Sequence, residues 1–127
     1  MSTALKITDA ELEVMRVLWS EGKPMTSAEI RDQLQDKAKW EKSTVLTLIR
    51  RLVEKRMVSC RKLEHLQYAP LVSKKEYQDS RTRKLIDTLY DGSVRNLVVA
   101  LCHHGGLTPE DREELQKLLE RGLGDHA

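Results

Sequence analysis

The sequence predicts a mainly α fold of three helices, a two-stranded β hairpin and three further helices. Three observations carry that reading. Helix-start signals recur along the chain, at Thr8, Thr26, Ser43 or Thr44, Ser73, Ser93 and Thr108. Apolar residues follow each signal at helical spacing. Two short extended runs interrupt the pattern between residues 57 and 71. Three helices followed by a hairpin is the element order of a winged helix-turn-helix. At 127 residues the chain has room for one domain, or one with a small helical appendage.

A capping box opens the first helix. Thr8 can accept a bond from the amide of Glu11, and Glu11 can reach back to the amide of Thr8. Leu12, Val14, Met15, Leu18 and Trp19 supply its apolar residues, and Gly22 with Pro24 ends it. Thr26-Ser27-Ala28-Glu29 repeats the signal, with Ala28, Ile30 and Leu34 as a short stripe. Asp36 to Lys39 is a charged connector, and Trp40 is expected to plug against the core. Ser43 or Thr44 then caps a helix spanning Ser43–Lys55.

Met57–Leu63 and Leu66–Leu71 flank Glu64-His65 and read as a hairpin, which must lean on the helices because an isolated hairpin is marginal in water. Ser73 caps a helix holding Tyr77, Leu85, Leu89 and Tyr90, closed by Asp91-Gly92. Ser93 caps another holding Val94, Leu97, Val98 and Leu101, stopped by Gly105-Gly106. Thr108-Pro109-Glu110-Asp111 opens the last helix with a cap, a proline at its first position and acids in its first turn. Leu115, Leu118 and Leu119 form its apolar face. Residues after Arg121 are expected to fray.

Charge is uneven along the chain. Between Ala38 and Lys62, Lys39, Lys42, Arg50, Arg51, Lys55, Arg56, Arg61 and Lys62 stand against Glu41 and Glu54, a net of +6. The chain beyond Val72 is close to neutral. A basic patch confined to one module points to an anionic partner for that module.

On a helical wheel, Val45, Leu48, Ile49 and Leu52 of the third helix fall within one arc and must face the core. Opposite them lie Ser43, Thr47 and Arg50, flanked by Thr44, Leu46 and Arg51. Arginine can bond bidentately to guanine, and threonine or leucine can meet a thymine methyl, so this face suits the major groove of double-stranded DNA. Arg61, Lys62 and His65 at the hairpin tip would meet the flanking backbone. Adding Lys42 at the helix start, the candidate DNA-binding set is Lys42, Ser43, Thr44, Leu46, Thr47, Arg50, Arg51, Arg61, Lys62 and His65.

Other classes find less support. No Ser/His/Asp order, paired carboxylates or glycine-rich phosphate loop marks an enzyme. Cys102-His103-His104 resembles metal ligands, but adjacent helical residues point in different directions, so neither metal nor cofactor is expected. Cys60 and Cys102 read as reduced thiols, a small hydrophobe in a strand and a buried thiol. No apolar run reaches the roughly 20 residues of a membrane span, and Met1–Lys6 lacks an extended apolar stretch, so a cytoplasmic location without membrane insertion is expected. The competing classes are a winged-helix adaptor for other proteins and a DNA-binding protein that senses a ligand or thiol signal directly.

Several strings resemble the penicillinase-repressor family, the BlaI/MecI/CopY repressors. They are Leu5 to Met15, Lys39-Trp40, Ser43-Thr44-Val45 with Thr47-Leu48 and Arg51-Leu52, Tyr68 to Val72, Leu89 to Ser93 with Leu97-Val98, and Leu107-Thr108 with Glu113-Glu114-Leu115. The resemblance implies a homodimeric transcriptional repressor of an antibiotic-resistance operon of the β-lactamase type, with a copper or other stress operon as the alternative. It implies a winged helix-turn-helix over residues 1–72 and a three-helix dimerisation domain over residues 73–127. The interlocking stripe would be Leu85, Leu89, Val94, Leu97, Val98, Leu101, Leu115, Leu118 and Leu119. A sensor protease is a further candidate partner. The β-lactam-responsive members are cleaved at an Asn-Phe bond, where this phenylalanine-free chain has Ala100-Leu101, with Asn96-Leu97 out of register. The copper-responsive members end in Cys-x-Cys motifs, which this chain lacks. At Arg56 the family usually has a helix-ending glycine, so the third helix must make its exit without the residue that takes the left-handed conformation easily.

Overall fold

The computed structural model describes residues 6–121, and the expected fraying after Arg121 lies outside them. Its elements are α1 (Asp9–Glu21), α2 (Ser27–Leu34), α3 (Lys42–Glu54), β1 (Val58–Lys62), β2 (Leu66–Pro70), α4 (Lys74–Leu89), α5 (Val94–His103) and α6 (Pro109–Glu120). The first five make a winged helix. The chain divides into two compact units, the first ending at Thr82 and the second beginning at Arg83.

Capping boxes form where the sequence places them. Thr8 Oγ1 accepts from the Glu11 amide while Glu11 Oε1 accepts from the Thr8 amide. Thr26 and Glu29 repeat this at α2, as do Ser73 and Glu76 before α4. The core of the first unit gathers Val14, Met15 and Leu18 from α1, Ile30 and Leu34 from α2, and Val45, Leu48, Ile49 and Leu52 from α3. Met57, Val58 and Tyr68 of the hairpin region close it. Leu12, Trp19 and Trp40 pack against it partly buried, while Ala28, expected in the α2 stripe, is exposed.

The third helix starts one residue earlier than expected. Glu41 occupies the N-cap in extended conformation, with no side-chain cap bond, and α3 begins at Lys42. Neither Ser43 nor Thr44 is the cap, because both already lie in the first turn. The exit is made without glycine. Arg56 takes a positive φ of 63°, the conformation that favours glycine. Its amide bonds to the Val53 carbonyl at 3.0 Å, and the Met57 amide bonds to the Leu52 carbonyl at 2.9 Å, a Schellman ending. Leu52 and Met57 are both fully buried, so their packing holds Arg56 in its strained position.

Lys55, just before this turn, reaches a buried carboxylate. Its Nζ lies 2.7 Å from Glu11 Oε1 and also donates to the Lys6 carbonyl. The Glu11 side chain is 1% exposed against 39% for Lys55. Burial pushes the Glu11 carboxyl up, but the Lys55 ammonium, the Thr8 amide and the Arg51 charge outweigh it and hold the carboxyl below its ordinary value.

The hairpin pairs Cys60 with Tyr68, Arg61 with Gln67 and Lys62 with Leu66. It leans on the helices by a bridge absent from the sequence reading. Met25, in the α1–α2 connection, donates to and accepts from the backbone of Tyr68 at 2.9 and 2.8 Å. Past β2, Trp19 Nε1 donates to the Val72 carbonyl at 2.9 Å, and the Trp19 and Tyr77 rings lie 5.8 Å apart. The first unit thus takes in the opening turns of α4.

In the second unit, α4 ends through Asp91 and Gly92, both at positive φ, and Ser93 Oγ accepts from the Asn96 amide to start α5. Gly105, also at positive φ, follows α5, and a Thr108–Asp111 capping box starts α6. Among the described residues α5 and α6 bury no side chain.

Two outcomes follow for stability. Lys55→Met strands an ionised carboxylate in the core and should cost about 3 kcal/mol, whereas Glu11→Gln leaves a lysine free to turn to water and should cost about 1–2 kcal/mol. Because the Glu11 carboxyl is lowered on folding, its contribution is complete above the ordinary glutamate range and is lost as pH falls through the lowered value. Denaturant melts at neutral and acidic pH should show the wild-type–Gln difference shrinking with acid, and a pH-independent difference would discard this account. Arg56→Gly should relieve the left-handed strain and stabilise by about 1 kcal/mol, read as a raised Tm.

Candidate nucleic-acid interface

The core-facing stripe of α3 fixes what the helix presents outward. Val45, Leu48, Ile49 and Leu52 are buried, leaving Lys42, Ser43, Thr44, Arg50 and Arg51 exposed. Neither Arg50 nor Arg51 forms an ion pair among the described residues, so both guanidinium groups keep their donors for a ligand. Thr47 is half-buried, and its Oγ1 donates to the Ser43 carbonyl at 2.9 Å. That bond spends the hydroxyl proton and leaves the oxygen lone pairs and the methyl for contact.

Leu46, Lys42 and Arg51 sit away from the centre of this face. Leu46 is half-buried where three elements meet. It lines one groove with Arg50, Cys60 and Tyr68, and another with Thr26, Ser27, His65 and Leu66. Lys42 stands at the α2 side, in a hollow with Ser27, Arg31 and Asp32. Arg51 lies toward Glu11, whose carboxylate feels its charge. Arg50, Ser43 and Thr47 form the central outward arc.

The hairpin separates two residues that the sequence reading grouped. Side chains alternate faces along a strand, so Lys62 shares a face with Cys60 and Tyr68, while Arg61 points to the other with Gln67. His65 lies in the turn, where its carbonyl accepts from the Leu63 amide at 3.1 Å. Thus Lys62 shares the strand face of Tyr68, which lines the α3 groove, while His65 lines the groove at the first turn of α2. Arg61 does not share that face.

Both cysteines are exposed, contrary to the reading of a small strand hydrophobe and a buried thiol. Cys60 lies beyond the part of β1 that the core covers, since burial along the strand stops after Val58 and Ser59. Its thiol sits beside the Tyr68 phenol, which burial raises above its ordinary value and Cys60 raises further. Cys102 is on α5, a helix without buried side chains. Among the described residues no three His, Cys, Asp or Glu side chains cluster as a metal site, and no helix is long and apolar enough to cross a membrane.

The apolar residues expected at a dimer contact lie on α4, α5 and α6. Leu85, Leu89, Val94, Val98, Leu101, Leu115, Leu118 and Leu119 are exposed, and Leu97 is half-buried. Val99 is exposed as well, and Ile86 is buried, neither of which the stripe anticipated. One residue of α3 also escaped the sequence reading. Glu54 is exposed and falls on the wheel between Ser43 and Thr47, a position that plotting the whole helix would have shown.

Comparison with known proteins accords with this geometry. The penicillinase repressor family model matches residues 7–121. The penicillinase repressor of Bacillus licheniformis is 28% identical over 116 residues, covering 91% of this chain and 90% of its own. The methicillin resistance regulatory protein MecI of Mammaliicoccus sciuri is 28% identical over 117 residues, covering 91% and 94%. The solution structure of monomeric Bacillus licheniformis BlaI in complex with the blaP half-operator is similar at a TM-score of 0.52 and 29% identity. That match covers 61% of this chain and 94% of the BlaI chain. The match along nearly the whole described length, on a winged helix with a polar and basic third helix, places this chain in the penicillinase-repressor family of transcriptional repressors.

Proposed function

We propose that the chain is a cytoplasmic homodimeric repressor of a dyad-symmetric operator, each protomer offering α3 to one major groove. The observation that carries this is the division of α3. One side is sealed into the core, and the other exposes Ser43, Thr44, Arg50 and Arg51 without ion-pair partners among the described residues. Arg50 in the central arc would take the base contact, bidentate to guanine. Lys42, Thr44 and Arg51 on the flanks would meet the groove walls, and Lys62 with His65 the adjoining backbone. Leu46 would face a thymine methyl only from the edge of the arc. The similar BlaI domain, solved in complex with a half-operator, supports operator DNA as the ligand.

Pairing of protomers through α4, α5 and α6 is supported by the second unit's exposed apolar side chains. Helices that bury nothing by themselves gain stability by covering those side chains with a second copy. Two linked recognition helices bind a two-fold site far more tightly than one, so weakening the pairing would release the operator. The regulated operon is proposed to be of the antibiotic-resistance type, in line with relatives named for penicillinase and methicillin resistance. An adaptor role would need exposed apolar anchors on the outward arc of α3, where Ser43, Thr47, Arg50 and Glu54 stand instead.

In gel-shift titrations against the duplex that the wild-type chain selects from a random pool, Arg50→Ala should lose about 1–3 kcal/mol of binding. Unchanged affinity would remove Arg50 from the interface. Sedimentation should show Leu97→Asp/Leu101→Asp as a folded monomer with weakened DNA binding, and an intact dimer would rule out this pairing surface.

A further inference from the structure

We propose that Glu54 is a specificity-determining residue of α3, its carboxylate accepting a hydrogen bond from a base amino group, cytosine N4, in the major groove. The inference rests on the reading of α3 as the DNA-facing helix. Glu54 is the last residue of α3 and is exposed. At about 100° per residue it falls between Ser43 and Thr47, at the centre of the outward arc. It also lies one turn beyond Arg50, on the same ridge. Flank residues such as Thr44 and Arg51 would meet groove walls and their phosphates, whereas the centre of the arc points at the groove floor. On this placement a carboxylate one turn beyond Arg50 on the same ridge would be carried toward the base edge next to the one that Arg50 contacts.

Among the described residues Glu54 has no ion-pair or side-chain hydrogen-bond partner. The spacing from Arg50 would suit an ion pair, yet the ion pairs among the described residues are Lys37–Glu13, Lys55–Glu11, Lys75–Asp79 and Arg83–Asp87. Lys55, next along the chain, is committed to Glu11. Glu54 also stands in the last turn, where a negative charge opposes the helix dipole. Residues that break a local rule without a structural partner concentrate at functional positions.

In the groove, cytosine N4 and adenine N6 donate, whereas guanine N7 and O6 and thymine O4 accept. A carboxylate facing an acceptor has no proton to offer and repels it, and one facing cytosine N4 is satisfied. Glu54 thereby rejects guanine and thymine, and it favours cytosine over adenine because adenine sets its N7 acceptor beside the N6 donor. Rejection of this kind discriminates more sharply than attraction alone. Arg50 one turn earlier supplies the complementary preference for guanine, so a single ridge reads a donor and an acceptor in succession.

Full-length wild type, Glu54→Ala, Glu54→Gln and Arg50→Ala would each be put through selection on a random duplex pool. Anisotropy titrations would follow, on the wild-type-selected duplex, its single-base-pair variants and a mixed-sequence duplex. Wild type should enrich cytosine at one position of each half-site and lose about 10-fold or more when that pair is changed. Glu54→Ala should lose that preference and bind the mixed-sequence duplex more tightly, because a charge that repels the duplex is gone. Glu54→Gln should move the preference toward adenine, which glutamine meets at N6 and N7. The same enriched motif from wild type and Glu54→Ala, or uniform tightening on every duplex with the preference unchanged, overturns the proposal. If Arg50→Ala alters the motif while Glu54→Ala does not, only this inference fails. If neither alters it, the reading of α3 as the DNA-facing helix fails with it.

Discussion

Val45, Leu48, Ile49 and Leu52 bury one side of α3, and that burial fixes the rotation of the helix about its own axis. Each such side chain contributes about 1.5–3 kcal/mol when sealed from water. Turning α3 to hide Arg50 would expose all four and bury a guanidinium without a partner, so the outward arc has no competing orientation. Ser43, Thr47, Arg50 and Glu54 are therefore placed by residues with which they share no chemistry. The core of this small unit is also the device that aims its interface.

Rotation alone does not hold a helix in place, and the remaining freedom is removed at its C-terminal end. Lys55 ties the last turn to the buried Glu11 of α1, and Arg56 accepts a left-handed backbone so that Met57 can enter the core beside Leu52. A few residues on, the Met25–Tyr68 bridge ties the hairpin to the α1–α2 connection. These links cost some local strain and bury a charge. In return, the hairpin's Tyr68 and the first turn of α2 come to line shared grooves with Leu46 of α3. A hairpin standing free of the helices would not hold that arrangement.

The second unit is built on the opposite balance. Its caps are as well formed as those of the first, at Ser93 and Thr108, yet α5 and α6 bury no side chain. Local signals are enough to start and stop these helices, but among the described residues most of the large apolar side chains between the signals stay exposed and none is fully buried. In the proposed dimer, linking operator affinity to the covering of those residues would make repression adjustable, because one protomer alone would keep only half the contacts.

The sequence by itself determined what acts over a few residues. The capping boxes at Thr8 and Thr26, the stripe of α3, the element order and the membership of the penicillinase-repressor family were all legible, since each depends on spacing along the chain. Only the tertiary structure decided the rest. The left-handed Arg56 depends on where Met57 packs, the separation of Arg61 from Lys62 on the register of a hairpin, and the exposure of Cys60 on how far the core extends under β1. The ion pair from Glu11 to Lys55 and the bridge from Met25 to Tyr68 join residues far apart in sequence. Such contacts form only once the apolar stripes have brought their elements together, and no local pattern records which partner will be waiting there.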